Sequence, residues 1–364
     1  MPLRLIVTGG GTGGHVFPAL EVARLAREQG IEVLYFGSLR GQEGRACERA
    51  GIPFQGFPSR PIYSLKTPRG WAGIFWLARS RSLASRELRR AKPSVLFSTG
   101  GYSSAPVVSA ARGLGLPYVI HEQNSVPGRT NKILSRGAKT VAVTFEASLK
   151  HFEGHVVRTG MPVRAELREL ASQRSLEAEA GHGRMLVMGG SQGSSAINQA
   201  ALATAQRMTS RNLRWLNVTG KKHFEDVFSS HEKLGIGGIF EMRPFLEGSQ
   251  MGEEYAKSAL VIGRSGTGTL SELAAFRLPS VLVPYPFAYA DHQTHNALEF
   301  EAIGAAKVVP QPGLTPAALE EAVKSWLDSA ESVRNAQESL AKWDRPDAAE
   351  RILELVRVAA GQSL

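Results

Sequence analysis

The chain has 364 residues, a hydrophobic content of 43%, a formal net charge of +10 and one cysteine, Cys47. This length predicts two domains of ordinary size, and a single cysteine excludes an internal disulfide and suits a reducing compartment. The first residues run directly into an apolar strand and a glycine loop, so we expect no signal peptide, and no uncharged apolar stretch reaches the roughly 20 residues of a membrane-spanning helix.

The positive charge is concentrated in the first part of the chain. Residues 1–160 hold 22 Lys and Arg against 9 Glu, a net charge of +13, whereas residues 161–364 have a net charge of −3. A basic half of this kind suits nucleic acid, an anionic membrane or a phosphorylated substrate, and charge alone does not choose among them.

A strand followed by a glycine-rich loop and a helix recurs along the chain. Glycines let the backbone approach a ligand closely, and free N–H groups at the start of the next helix favour an anion such as a diphosphate. The alternative for each loop alone is an ordinary βα turn. Three phosphate seats are predicted: residues 9–14 between a strand at 3–7 and a helix at 18–29, residues 189–193 between a strand at 185–188 and a helix at 195–207, and residues 263–268 after a strand at 259–262.

The first of these loops also fits the G-x-G-x-x-G pattern of dinucleotide-binding proteins. The next predicted strand, residues 31–36, ends in Gly37 and Ser38, with no acidic residue to hold an adenosine ribose. Nicotinamide and flavin binding are therefore disfavoured, and we expect no cofactor.

Residues 58–92 form the most basic segment, with nine Lys and Arg against one Glu. Trp71, Ile74, Phe75 and Ala78 share one helical face, with arginines beside it, which is typical of a basic amphipathic helix at a membrane surface. The alternative is a core-facing helix with a solvated arginine face. Tryptophans next to arginines favour the anionic membrane.

Polar clusters follow two predicted strands. His121, Glu122, Gln123 and Asn124 come after the strand at 118–120. Ligands of open parallel sheets bind at the carboxyl ends of strands, so this cluster predicts a binding site. A second cluster follows the strand at 279–283 and suits a sugar: Asp291, His292, Gln293, His295 and Asn296.

A turn at residues 160–162 interrupts the pattern, and the helical C-terminal region is broken at residues 343–346. We therefore predict an N-terminal domain at 1–160, a second domain at 161–343, and a last helix at 344–364 that crosses back to the first domain. The five aspartates include no Asp-x-Asp pair to seat a divalent ion on a diphosphate. Helix N-termini and Arg164 would replace the ion, and no essential metal is predicted.

Short motifs over nearly the whole chain resemble one family. They are GGTGGH at 10–15, GGY at 100–102, HEQN at 121–124, TNK at 130–132, PVR at 162–164, GGSQG at 189–193, RSG at 264–266, SE at 271–272, and DHQ with NA at 291–297. The family is that of the bacterial undecaprenyldiphospho-muramoylpentapeptide β-N-acetylglucosaminyltransferases, in glycosyltransferase family 28. Two places depart from its pattern. Met161 stands where Asn is expected before Pro162, and the turn after Gly266 reads Thr-Gly where the family more often has Ala and a larger residue.

The resemblance implies an α/β fold of the GT-B type, with two doubly wound Rossmann-like domains whose parallel sheets face a central cleft. It implies inverting transfer of GlcNAc from UDP-GlcNAc to the C4 hydroxyl of the MurNAc unit of polyprenyl-diphosphate-linked MurNAc-pentapeptide (lipid I), which gives lipid II for peptidoglycan synthesis. The acceptor would keep the protein at the cytoplasmic face of the cell membrane.

The resemblance also implies roles for individual residues. Glu272 would bind the uridine ribose, the backbone of Leu246 the uracil edge, and Gln293 and Asn124 the GlcNAc hydroxyls. Thr12, Gly13 and Gly14 would bring the first loop against the donor and the lipid diphosphate. The residues expected at the UDP diphosphate are Ser191, Arg164, Gly266, Thr267, Gly268 and Thr269, and Leu270 and Ser271 are expected in the same UDP-GlcNAc site.

His15 is the expected general base, with Glu122 second, because a histidine titrates near neutral pH and can take the proton of the acceptor hydroxyl. The alternative for His15 is a hydrogen bond to the acceptor diphosphate only. Rival functions are a UDP-GlcNAc epimerase, a transferase for another glycolipid and a nucleic-acid-binding protein. The basic segment has no use in an epimerase, and stacking aromatics on strands are lacking, so we expect no nucleic acid.

Overall fold

The computed structural model describes residues 3–61, 66–174, 183–211 and 213–362. The chain divides into two compact units. One contains the described residues up to Arg164 together with those from Arg345 onward, and the other is Ala165–Asp344. The observed division therefore comes four residues after residue 160 and one residue after residue 343, the boundaries expected from the sequence.

Seven parallel strands form one sheet in the described part of the first unit. They are β1 (Arg4–Gly9), β2 (Glu32–Ser38), β3 (Phe54–Phe57), β4 (Val95–Gly100), β5 (Tyr118–Glu122), β6 (Thr140–Val143) and β7 (Val156–Arg158), in the order β3-β2-β1-β4-β5-β6-β7. The helices up to this point are α1 (Gly13–Glu28), α2 (Glu43–Arg49), α3 (Pro68–Ala91), α4 (Ala105–Gly113) and α5 (Arg129–Leu134).

Six parallel strands form the sheet in the described part of the second unit. They are β8 (Gly183–Met188), β9 (Leu213–Val218), β10 (Phe240–Arg243), β11 (Ser258–Gly263), β12 (Ser280–Leu282) and β13 (Ala306–Val308), in the order β10-β9-β8-β11-β12-β13. The helices are α6 (Ala165–Ser172), α7 (Ser195–Arg207), α8 (Phe224–Leu234), α9 (Gly248–Lys257), α10 (Thr267–Ala275), α11 (His292–Ala302), α12 (Pro316–Leu327) and α13 (Ala330–Trp343).

The last helix, α14 (Ala348–Ala359), belongs to the first unit. Ile352, Leu353 and Val356 lie in the same buried cluster as Val16 of α1 and Val7 of β1. The central strands β4, β5 and β6 are buried along their whole length, as expected when helices cover both faces of a parallel sheet. None of the described helices is both long and apolar enough to cross a bilayer.

Two element boundaries differ from the predicted ones in a way that matters for the site. The sequence analysis placed the first helix at 18–29, but α1 begins at Gly13 and accommodates Pro18 inside the helix. His15 is therefore in the first helical turn. The strand predicted at 118–120 extends through Glu122, so His121 and Glu122 lie within buried β5.

Candidate active site

The first glycine loop packs against the turn that follows β4, because β1 and β4 are neighbours in the sheet. The Gly10 N–H donates to the Gly100 carbonyl at 3.2 Å. Gly101 has a φ of +85°, and a Cβ at this residue would lie 2.0 Å from the Gly10 carbonyl oxygen. The GGTGGH and GGY motifs thus form one surface, and glycine is required at 101 for both conformation and space.

His15 is held in one tautomer by this contact. Its Nδ1 lies 2.8 Å from the Thr99 carbonyl oxygen, and the Thr99 hydroxyl donates to the His15 carbonyl at 2.7 Å. A carbonyl oxygen only accepts hydrogen bonds, so in the neutral ring Nδ1 carries the proton and Nε2 carries the lone pair. The arrangement prepares Nε2 to accept a proton.

Two residues of the HEQN motif support His15 from the interior. The Gln123 amide donates to the same Thr99 carbonyl at 2.8 Å, and its Nε2 lies 3.1 Å from Nδ1 of His121. His121 Nε2 lies 2.9 Å from the Gly160 carbonyl oxygen. Burial lowers the pKa of His121 to about 4, so this ring is neutral near pH 7.

Glu122, the second candidate for the base, has a different position from the one expected. Its side chain lies in β5 and is 1% exposed. One carboxylate oxygen accepts from the Asn124 N–H at 3.0 Å, and the other from the Gly128 N–H at 3.0 Å and the Asn131 amide at 2.9 Å. The carboxylate therefore anchors the loop after β5 and is poorly placed to take a substrate proton.

The other predicted residues of the first unit surround this loop. Thr12 is the N-cap of α1, and its side chain makes no capping hydrogen bond to the first turn, which contains Gly13 and Gly14. The Asn124 side chain reaches the Glu122 carboxylate at 3.3 Å. Arg164 belongs to this unit and not to the second, and its guanidinium lies 5.5 Å from the ring centroid of Phe17 on α1.

The sequence analysis missed a buried acid beneath the first loop. Glu43, the first residue of α2, is 0% exposed, and one of its oxygens accepts from the Gly11 N–H at 3.2 Å. Its other oxygen has no hydrogen-bond partner among the described residues. Burial, and then Glu43, raise the pKa of the neighbouring Cys47 thiol to about 12. No local pattern around residue 43 indicates burial, because the contact depends on how α2 packs under β1.

The two predicted phosphate seats of the second unit differ at their helix starts. The N-cap of α7 is Ser194, whose hydroxyl accepts from the Ile197 N–H, so this helix is capped by its own chain. Ser191 lies exposed in the preceding loop. The N-cap of α10 is Gly266, which supplies no side-chain cap, and the first turn contains no acidic residue. The N–H groups of Thr267, Gly268 and Thr269 therefore suit an anion better.

Arg264 joins these two seats, and the sequence analysis did not single it out. Its guanidinium is buried and donates to the Val283 and Pro284 carbonyls, to the Ser194 hydroxyl at 2.8 Å and to the Gln311 amide oxygen at 2.6 Å. All four partners are neutral, and no carboxylate pairs with Arg264 in the described part of the chain. Burial lowers the pKa of Arg264, as expected for a cation removed from water.

The remaining residues of the second unit that were predicted to bind the sugar nucleotide lie around the turn at Gly266. The Ser265 hydroxyl donates to the Gln293 carbonyl at 2.7 Å, which brings Gln293 beside Gly266, and the Gln293 Oε1 accepts from the Tyr285 N–H at 3.0 Å. Glu272 lies farther along α10 and accepts from the Tyr255 hydroxyl at 3.1 Å. Leu270 and Ser271 are buried in the helix, and Leu246 follows β10 at the same sheet edge.

Two family models together match most of the chain. Residues 5–143 match the model of the glycosyltransferase family 28 N-terminal domain, and residues 184–352 match that of the family 28 C-terminal domain. The chain belongs to glycosyltransferase family 28. The GT-B prediction of two Rossmann-like domains with parallel sheets is confirmed.

Relatives of this family 28 chain are similar over their full length. The UDP-N-acetylglucosamine–N-acetylmuramyl-(pentapeptide) pyrophosphoryl-undecaprenol N-acetylglucosamine transferase of Desulforamulus reducens is 36% identical over 97% of this chain and 98% of the relative. The protein of the same name from Bacillus licheniformis is 35% identical over 98% of both chains.

Solved structures of the same fold include a family relative and proteins of other kinds. MurG of Acinetobacter baumannii has a TM-score of 0.79 at 29% identity, covering 98% of this family 28 chain and 100% of its own. A putative UDP-N-acetylglucosamine 2-epimerase of Listeria monocytogenes has a TM-score of 0.71 at 12% identity, with 98% and 96% covered. The second likeness concerns the fold alone. Among the described residues, no three His, Cys, Asp or Glu side chains cluster so that they could hold a metal ion.

Proposed function

We propose that this chain transfers GlcNAc from UDP-GlcNAc to the C4 hydroxyl of MurNAc in lipid I, with inversion at the anomeric carbon, and so produces lipid II for peptidoglycan synthesis. The observation that carries the proposal is the similarity of at least 35% over 97% of the chain to relatives named for this reaction.

The donor half of the reaction belongs to the second unit. The first turn of α10 would bind the UDP diphosphate through its N–H groups, with the buried Arg264 supplying a positive charge nearby. Glu272 would accept hydrogen bonds from the ribose diol, and Leu246 would read the uracil edge. Within the second unit, Ser191 would add contacts to the diphosphate and Gln293 to the sugar. The family resemblance also assigns Arg164 to the diphosphate and Asn124 to the sugar, and both of these residues belong to the first unit.

The acceptor half belongs to the first unit, with His15 as the general base. The C4 hydroxyl oxygen of MurNAc would attack C1 of GlcNAc as the bond from C1 to the UDP oxygen breaks, and Nε2 of His15 would take the hydroxyl proton. The tautomer that Thr99 imposes supports this role, because it leaves the lone pair on Nε2. The negative charge that develops on UDP would be stabilised by the helix N-terminus and Arg264.

An assay with labelled UDP-GlcNAc and a lipid I analogue tests the proposal. We expect one disaccharide product for each UDP released, and no turnover of the donor without acceptor. Conversion of UDP-GlcNAc to its epimer without acceptor would overturn the proposal in favour of an epimerase.

We further propose that α3 docks the first unit on the cytoplasmic face of the membrane. Trp71 is 65% exposed and Phe75 is 61% exposed, and Arg79, Arg86 and Arg89 continue the same outward face while Ala84 and Leu88 face the core. Aromatic side chains can enter the headgroup region, and each arginine near anionic lipid contributes about 1 kcal/mol. Trp76, the other tryptophan of α3, is partly buried, and Cζ of Arg60 lies 4.7 Å from its ring centroid.

Charge reversal of the three arginines tests the docking. Arg79→Glu, Arg86→Glu and Arg89→Glu together should reduce sedimentation with anionic vesicles and slow turnover of a membrane-embedded acceptor, and should spare a short-chain soluble acceptor. The matched control reverses the exposed Arg49, Arg136 and Arg214, which changes the net charge equally. Docking by α3 is wrong if both triple variants sediment alike.

A further inference from the structure

The buried carboxyl group of Glu43 lies under the first glycine loop, and no step of the proposed transfer uses it. It fills a slot that glycines leave open. A Cβ at Gly10 would lie 1.7 Å from one carboxylate oxygen, and a Cβ at Gly41 would lie 1.5 Å from the other. Any side chain at either position would occupy the space of the carboxyl group, so the loop and the acid are matched in shape.

Glu43 fixes the direction of the peptide group between Gly10 and Gly11. The N–H of this peptide, which belongs to Gly11, donates to the carboxylate at 3.2 Å. Its carbonyl, which belongs to Gly10, packs against Gly101, where a Cβ would lie only 2.0 Å from the oxygen. Gly11 also has a φ of +92°, a conformation that suits glycine. The peptide is therefore held at both its N–H and its carbonyl.

This peptide leads directly into the helix that carries His15. Thr12, the residue after Gly11, is the N-cap of α1, and its carbonyl accepts from the His15 N–H at 3.1 Å. The Thr12 side chain makes no capping hydrogen bond, so the direction of the first turn depends on the loop before it. A shift of the Gly11 peptide would therefore move the first turn, and the His15 ring with it.

Folding stability alone does not account for an acid at residue 43. Its side chain is 0% exposed, one oxygen accepts from Gly11, and the other oxygen has no hydrogen-bond partner among the described residues. Removing a carboxylate from water with so few hydrogen bonds costs free energy. Gly11 is exposed, so its N–H could bind water instead. Residues that cost stability in this way are typical of functional sites.

We propose that Glu43 is a positioning residue for the acceptor side of the transfer. By accepting from the Gly11 N–H, it holds the first loop so that Nε2 of His15 can meet the C4 hydroxyl of the acceptor. The inference rests on the proposed function, in which His15 is the general base. Because the carboxylate acts as a hydrogen-bond acceptor, a side chain of the same length with an acceptor oxygen should replace it, and one without an acceptor should not.

Two variants of equal length test this role by their kcat with a lipid I analogue. Glu43→Met, which removes the acceptor oxygen, should lower kcat about tenfold or more, because a misplacement of about 1 Å can cost about a hundredfold in rate. Its UDP affinity should stay within about twofold of the wild type, and its melting temperature should not fall. Glu43→Gln should recover most of kcat. The control, Glu48→Met, changes an exposed acid of α2 and should retain the wild-type kcat.

Hydrogen exchange in the segment of residues 9–16 tests the same role without the transfer reaction. Exchange there should be about tenfold faster in Glu43→Met than in the wild type or Glu43→Gln. A wild-type kcat in Glu43→Met, equal losses in both Glu43 variants, or a parallel fall of melting temperature, UDP affinity and kcat would overturn the positioning role. If the wild type itself transfers no GlcNAc, the proposed function fails, and the exchange rates alone decide whether Glu43 fixes the loop.

Discussion

The glycine loop after β1 and the turn after β11 have the same strand-to-helix structure, but the buried charged side chains next to them have opposite signs. Each follows a central strand, and each leads into a helix whose N-cap, Thr12 or Gly266, provides no side-chain hydrogen bond. Beneath the first lies the buried carboxyl group of Glu43, bonded to the Gly11 N–H. Beside the second lies the buried guanidinium of Arg264, with only neutral partners.

This difference supports the proposal that the turn of the second unit holds the donor diphosphate. The N-terminus of a helix attracts an anion in either unit, but a buried carboxylate nearby opposes it and a buried cation without a counter-ion reinforces it. The turn of the second unit is therefore the stronger phosphate seat. The first loop supplies instead a histidine with a defined tautomer, which suits proton transfer from an acceptor hydroxyl.

The largest expected effect is on catalysis at the first loop. His15→Ala should lower kcat by about two to four orders of magnitude, as expected for loss of a general base, and should leave UDP-GlcNAc affinity nearly unchanged. Single-turnover kinetics and calorimetry on the same variant provide the two values. If the rate stays near that of the wild type, the first loop has no base at this position.

The folding stability of the first unit should depend on pH through His121, the buried histidine of β5 that contacts Gln123. The pKa of His121 is about 4 in the folded chain because of burial, against 6.5 for the free side chain. The unfolded chain therefore binds a proton first as pH falls, so the stability contributed by neutral His121 is present above pH 6.5 and is lost towards pH 4.

The loss of folding stability between pH 6.5 and pH 4 should approach roughly 3 kcal/mol, because each pKa unit corresponds to about 1.4 kcal/mol. Urea denaturation between pH 7 and pH 4 measures it. His121→Gln should flatten the profile, whereas His295→Gln, which changes an exposed histidine of the second unit, should retain it. A wild-type slope in His121→Gln would show that another group titrates.

The donor side is tested by Glu272→Ala. Loss of a charged hydrogen bond to the ribose should weaken UDP binding by about 1.5–3 kcal/mol. Glu253→Ala, which truncates an exposed carboxylate on α9, serves as the control and should bind UDP normally. Unchanged UDP affinity in folded Glu272→Ala would remove this residue from the site.

Local patterns in the sequence predict much of this fold. Apolar runs ending in glycine mark β1, β8 and β11, and the helix at Ser195–Arg207 has the predicted bounds. The predicted start of the first helix, residue 18, was wrong, because α1 begins at Gly13, inside the stretch that the sequence analysis assigned to the glycine loop.

The charges that distinguish the two loops were not predictable in the same way. Glu43 reaches Gly11 only because α2 packs beneath the first loop, and Arg264 reaches Ser194 because β8 and β11 are neighbours in the sheet. Both contacts join segments far apart in sequence. The burial of Glu122 was not predictable for a related reason. Its position within β5 and its contact with Asn131 depend on the folded loop.

UDP affinity of a matched pair of variants tests the central claim most directly. Arg264→Met removes the buried cation of the second unit and should weaken calorimetric UDP binding by about tenfold, or ~1.4 kcal/mol, while Arg264→Lys, which keeps the charge, should lose less. Glu43→Gln removes the buried charge of the first unit at constant size and should change UDP affinity by less than about twofold. Equal losses in Arg264→Met and Glu43→Gln, or a loss in Glu43→Gln alone, would contradict the assignment of the donor diphosphate to the second unit.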